Sequence, residues 1–136
     1  MKSNRRLFLQ QSSLAAASFS LKTEHSVTLN APFVHHVLFW LKGKDKDSSY
    51  NKVLAALKEF GKIKEVKFIH IGSPSVSDID YEAQATDTTY TFSYLTLFES
   101  KKDKENYLAS PLHKKFFNDF KDVVSRVIIY DSLNIG

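Results

Sequence analysis

Cysteine is absent from the 136 residues. That absence excludes disulfides, thiolate metal sites, cysteine nucleophiles and a lipidated cysteine anchor. Also missing is an apolar run of the roughly 20 residues that span a bilayer: the longest candidate, Leu7 to Leu21, is interrupted by Ser, Gln and Ala. No set of three or four His, Asp and Glu residues recurs at metal-ligand spacing, so neither a metal nor another cofactor is expected. Positive charge is scarce where it would matter. The chain carries +4, but Lys2, Arg5, Arg6 and Lys22, less Glu24, place +3 of it in residues 1–24. The remainder is near +1, too little for the convergent phosphate contacts that nucleic-acid binding requires.

What is present begins with a segment different in kind from the rest. "MKSNRRLFLQQSSLAAASFSLK" has a basic start followed by a short run of apolar and small residues, the layout of an export signal. Arg5-Arg6 followed by Phe8-Leu9 resembles the bacterial twin-arginine signal. Residues 1–24 are therefore expected to be an export signal and 25–32 a linker. The mature protein is expected in the periplasm of a bacterium, meeting a membrane only during export.

Residues 33–133 read as one domain, within the usual 50 to 250 residues of a compact unit. "FVHHVLFWLK" (33–42) has the residue types of a strand, with both faces apolar. Phe33, His35, Val37, Phe39 and Leu41 point one way; Val34, His36, Leu38 and Trp40 point the other. Helical spacing follows, with Tyr50, Val53, Leu54, Leu57 and Phe60 on one stripe, Asp47 or Ser48 as N-cap and Gly61 as C-cap. Residues 62–72 return to strand character, with Lys62, Lys64 and Lys67 on a wet edge. Residues 73–88 are polar and read as a loop. "TYTFSYLTLFES" (89–100) is the clearest strand, with Tyr90, Phe92, Tyr94, Thr96 and Phe98 on one face. A short helix over 103–109 breaks at Ser110-Pro111. A second helix then carries Leu112, Phe116, Phe120 and Val123 on one stripe, and 125–131 forms the last strand.

The order β-α-β-β-α-β predicts an α+β, ferredoxin-like domain with an antiparallel four-stranded sheet. Helices cover one face of such a sheet, yet these strands are apolar on both. Leaving the second face wet forgoes roughly 1.5–3 kcal/mol for each buried Leu or Phe. A homodimer packed sheet against sheet, a dimeric α/β barrel, is the expected remedy.

"HHVLFWLK", "YTFSYLTLFES", "YLASPLHKKF" and "VIIYDS" together resemble the stress-responsive dimeric α/β-barrel (Dabb) family over residues 33 to 133. The matching positions are His36, Phe98 to Ser100, Tyr107, Pro111 to His113, Phe116, and Tyr130 with Asp131. One branch of that family is a plant polyketide cyclase, which closes rings by aldol condensation without a cofactor. The resemblance implies that Tyr107 and His113 match its catalytic pair and His36 a further pocket residue. Ser110 and Phe92 depart from it, since the cyclase has His at both places. Phe92 and Phe116 complete the candidate ligand-binding set of His36, Tyr107 and His113.

A His in the first turn of a helix is disfavoured as imidazolium and can serve as a general base, while the Tyr107 hydroxyl can hold a developing oxyanion. The expected partner is a small apolar or aromatic molecule. Plain packing is the competing reading for Tyr107, His113 and Phe92. In that reading the protein is a non-enzymatic stress or interaction protein with a filled interior, whereas ligand binding requires a cavity of a few hundred Å3.

Overall fold

The computed structural model describes residues 33–43 and 46–135. The expected signal (1–24) and linker (25–32) lie outside the described residues. Four strands, β1 (Phe33–Leu41), β2 (Phe68–Gly72), β3 (Phe92–Phe98) and β4 (Val124–Leu133), form one sheet in the order β2-β3-β1-β4. Every neighbouring pair is antiparallel. With α1 (Lys46–Glu59), α2 (Asp80–Ala85), α3 (Lys101–Ala109) and α4 (Pro111–Phe120), the chain has the ferredoxin-like fold expected of it. Among the described residues no helix is long and apolar enough to cross a membrane.

Antiparallel register sorts the strand side chains into two faces. Phe33 lies opposite Phe98, Val37 opposite Tyr94 and Phe39 opposite Phe92. These six are buried in the core beside Val53 and Leu57 of α1, Phe60 just after it, Tyr107 of α3 and Phe116 of α4. The other face carries Val34, His36, Leu38 and Trp40 of β1, Leu95 of β3, Phe68 and His70 of β2, and Ile128 and Tyr130 of β4. None of these belongs to the core cluster or packs against it. Its Trp40 end meets the loop before β3: the indole N–H donates to Thr89 Oγ1 at 2.9 Å and the ring meets Tyr90 edge-on.

Serine caps set the two helices that matter for the site. Ser100 Oγ accepts the Asp103 N–H and donates to the Asp103 carboxylate, both at 3.0 Å, which starts α3 two residues earlier than 103. Ser110 then ends α3, its N–H bonded to the Tyr107 carbonyl, and caps α4 by accepting the His113 N–H at 3.3 Å. Pro111 takes the first helical position, where a missing N–H costs nothing.

Three local expectations are corrected. Helix α1 begins at Lys46, so Asp47 and Ser48 fall inside its first turn, and Gly61 lies within a 3-10 turn, Phe60–Lys62. Strand β2 is shorter than 62–72 because successive turns, Ile63 N–H to Phe60 O and Val66 N–H to Ile63 O, use the backbone groups a strand would need. The polar 73–88 segment contains the short helix α2.

Candidate functional site

Between the helices and the sheet lies a cavity of about 540 Å3. Its wall is largely aromatic and aliphatic, with Val37, Phe39, Phe60, Phe116 and Phe120 among its members. Into it come His35 from β1, Tyr94 from β3, Lys104 and Tyr107 from α3, and His113 from α4. It opens along edge strand β4, where the lining residues Val127 and Ile129, with Phe117 of α4, are exposed.

The Ser110-Pro111 junction brings Tyr107 and His113 together. Their rings meet edge-on at 4.9 Å, and His113 stacks on Phe60 at 5.5 Å. Tyr107 is 1% exposed and also touches Phe98 and His35. Its hydroxyl donates to the Tyr94 hydroxyl across 3.4 Å. Burial pushes the Tyr94 phenol up to about 12 and Tyr107 further still, so both act as hydrogen-bond donors and acceptors rather than as bases.

His35, not His36, is the β1 histidine on the cavity side. It sits on the helix side, buried, with Nδ1 2.6 Å from Asp131 Oδ1. Asp131 Oδ2 in turn accepts from Lys104 Nζ at 3.0 Å. Burial lowers the His35 pKa and outweighs the opposing pull of Asp131. Burial would raise Asp131, but its bonds to His35 and Lys104 prevail and hold it below the usual carboxylate range. The pair is thus a neutral imidazole donating Nδ1–H to an ionised carboxylate, which leaves Nε2 as the basic nitrogen. His113 is also lowered, chiefly by burial and then by His35 and Lys104. The cavity therefore holds two neutral imidazoles and two phenols, a set suited to moving a proton next to a carbonyl group.

His36, expected beside Tyr107 and His113, lies on the opposite face of the sheet. Its Nε2 meets Ser93 Oγ at 2.8 Å and its ring lies 6.3 Å from Tyr130. Adjacent strand residues cannot share a face, so placing His35 in the cavity removes His36 from it. Phe92, also expected in the pocket, is packed against Tyr50 at 4.5 Å and lies outside the cavity wall. Phe116 does line the cavity, in contact with Phe39, Phe60 and Phe120.

The family model of the stress responsive A/B barrel domain matches residues 33–134. The chain belongs to this family. No curated protein matches the A/B barrel chain. Solved structures do. A Dabb protein with a ferredoxin-like fold from Mesorhizobium loti is 21% identical, with a TM-score of 0.62 over 78% of this chain and 99% of that one. A hydroxynitrile lyase from Passiflora edulis is 18% identical, with a TM-score of 0.63 over 79% and 96%. A dimeric ferredoxin-like protein of unknown function from Bacteroides fragilis is 17% identical, with a TM-score of 0.58 over 79% and 100%. At these identities the likeness is one of fold.

Within this A/B barrel domain, Asp131 and Lys104 are the site residues that sequence reasoning missed. Asp131 was noted only as part of a closing aromatic–Asp pair. A carboxylate on an otherwise apolar last strand, opposite a histidine-bearing strand, was the available signal. Nothing in the pattern of α3 separates Lys104 from its neighbours Lys101 and Lys102.

Proposed function

We propose that this protein binds a small, partly apolar carbonyl compound in the helix–sheet cavity. In this reading His113 and His35 are the proton acceptors and Tyr107 is the hydrogen-bond donor. The observation that carries the reading is the convergence of His35, Tyr107 and His113 on one largely apolar cavity of about 540 Å3, a size suited to small ligands. Tyr107 is tightly packed, as a filled interior would also require, but the space beside it is not filled. Where the bound molecule has an acidic C–H next to its carbonyl, one imidazole removes the proton and the Tyr107 hydroxyl turns toward the developing oxyanion. This chemistry needs no cofactor and agrees with the aldol-type activity that the cyclase resemblance implies. The Passiflora edulis neighbour, a hydroxynitrile lyase, is a precedent for enzymes on this fold, and its reaction is not carried over.

The protein in this reading is a homodimer. Val34, Leu38, Leu95 and Ile128 lie on the sheet face that no helix covers, and a second copy supplies matching apolar surface. The Bacteroides fragilis neighbour is itself dimeric, which supports the reading of a homodimer. Residues 1–24 act as a twin-arginine export signal for delivery to the periplasm. A reporter fused behind them, exported by wild-type cells and retained by cells lacking that pathway, would support this; export in both would reject it.

The test of the binding reading is mass spectrometry of the natively purified full chain, followed by calorimetry with the compound recovered. Expected is one ligand per protomer, with binding weakened at least tenfold by His113→Ala. A protein that is empty on purification, and that takes up no compound from a panel of aromatic β-dicarbonyls, would reject the proposal.

A further inference from the structure

Lys104 is poorly placed for a merely solvating lysine. Its side chain is only 17% exposed, and its ammonium lies 6.0 Å from the centre of the Phe33 ring. It lines the cavity, and its one ion-pair partner among the described residues is the far oxygen of Asp131, whose near oxygen holds His35. Carboxylates are absent from the cavity wall among the described residues.

We propose that Lys104 is a positioning residue: by holding Asp131 Oδ2 it fixes the carboxylate so that Oδ1 captures His35 Nδ1–H and turns Nε2 to the cavity. The inference rests on reading the cavity as a proton-transfer site. A carboxylate on an edge strand, partly open to water, has freedom to rotate about its Cβ–Cγ bond. A second anchor on α3 removes that freedom, and Ser100 and Asp103 at the capped start of the helix hold α3 in place. The charge adds a second effect: Lys104 opposes protonation of both His35 and His113, which keeps the two imidazoles available as bases. Without it, Asp131 is free to turn away from His35, and Nδ1–H loses the acceptor that fixes the tautomer.

The ionisable groups around His35 are Asp131 from β4, Lys104 and Tyr107 from α3, His113 from α4, Tyr94 from β3 and its strand neighbour His36. Removing the Lys104 charge lifts its direct opposition to protonation of His35 and His113, while loosening Asp131 withdraws the bond that favours protonated His35, so the tautomer rather than the midpoint is the readout. The experiment is a proton–nitrogen correlation titration of the histidine rings in the full chain, with His35 assigned from His35→Gln. In Lys104→Met the tautomer protonated on Nδ1 is expected to lose population. Lys104→Arg should restore it.

Asp131→Asn provides a second arm. It should lower the His35 midpoint, and adding Lys104→Met to it should then change the tautomer no further. An unchanged His35 tautomer in a folded Lys104→Met protein would overturn the proposal, whatever its melting temperature does. So would a shift that Lys104→Arg fails to reverse. No ligand is needed, so these outcomes are independent of whether the cavity binds the compounds tested above.

Discussion

Replacing Tyr107 by Phe separates the two jobs its hydroxyl could have. The ring does the packing, against Phe60, Phe98, His35 and His113, and Phe keeps all of it. What is removed is a single hydrogen bond to Tyr94, 3.4 Å long, well beyond the roughly 2.7–2.8 Å typical of hydroxyl pairs. A net hydrogen bond is worth about 0.5–1.5 kcal/mol, and one this long belongs at the lower end. For a domain near 100 residues, a loss of about 0.5 kcal/mol corresponds to about 2–4 °C in melting temperature. Tyr107→Ala, which empties the ring's volume, should cost about 3–5 kcal/mol.

Urea unfolding followed by the fluorescence of Trp40, the single tryptophan, measures this at fixed protein concentration, because the stability of the proposed homodimer would depend on it. Calorimetry with the recovered ligand gives the second axis. The reasoning requires Tyr107→Phe to be nearly as stable as wild type but at least tenfold weaker in binding or turnover. A stability loss above about 2 kcal/mol would make the hydroxyl a structural group, and unimpaired binding would show that it never meets the ligand.

Other perturbations test neighbouring links. Phe116→Ala removes a ring wedged between Phe39, Phe60 and Phe120, so it should cost about 3–5 kcal/mol in the same urea assay and enlarge the cavity; a loss under 1 kcal/mol would mean that α4 is not packed as described. Leu38→Asp places a charge on the uncovered sheet face, so sedimentation should show monomer where wild type is dimer while the far-ultraviolet circular dichroism stays the same. A wild-type protein that is monomeric at micromolar concentration would refute the dimer. Acid should weaken the fold in a particular window. His35 and His113 are held below their ordinary 6.5 in the folded state, so the unfolded chain takes up protons first. Stability is then full above pH 6.5, falls as the pH drops toward the depressed folded values, and levels off below them. Urea midpoints at pH 7.5 and pH 5.0 should differ in that sense, and a flat profile would contradict the burial described.

Element type and order were readable because hydrophobic pattern and punctuation agreed: a short apolar run over 33–42, strand character over 89–100, helical stripes at Tyr50–Phe60 and Leu112–Phe120, and a Ser-Pro break between α3 and α4. Boundaries failed where hydrogen bonding inside turns competed with strand pairing, as at 62–67. Tyr107, His113 and Phe116 were legible as a pocket group because they lie on two consecutive helices joined by a single capped residue, so local sequence fixes their proximity. Lys104 was not, because it lies on α3 and its partner 27 residues away on β4, and no local pattern encodes that meeting.

The exchange of His35 and His36 shows a limit set by the sheet itself. Both faces of β1 are apolar, so neither hydrophobicity nor alternation says which of two adjacent histidines meets the helices, and a displacement of one residue moves every side chain across the sheet. Pairing resolves it. Phe98 lies opposite Phe33, and Thr96 opposite His35; the aromatic face of β3 is the helix face, and it takes His35 with it. Asp131 then falls opposite His35 on the other side of β1, and a carboxylate there only makes sense beside a histidine rather than an aliphatic neighbour. The two histidines are thus committed to different surroundings. His35 is tied to a carboxylate and an ammonium inside the cavity, whereas His36 rests on Ser93 and faces Tyr130 on the surface that awaits a second molecule. Exchanging the pair, His35→Ala against His36→Ala, should accordingly split cavity chemistry from assembly, the first reducing ligand affinity and the second altering the dimer. Equal effects of both on ligand binding would mean that the sheet's two faces are not independent.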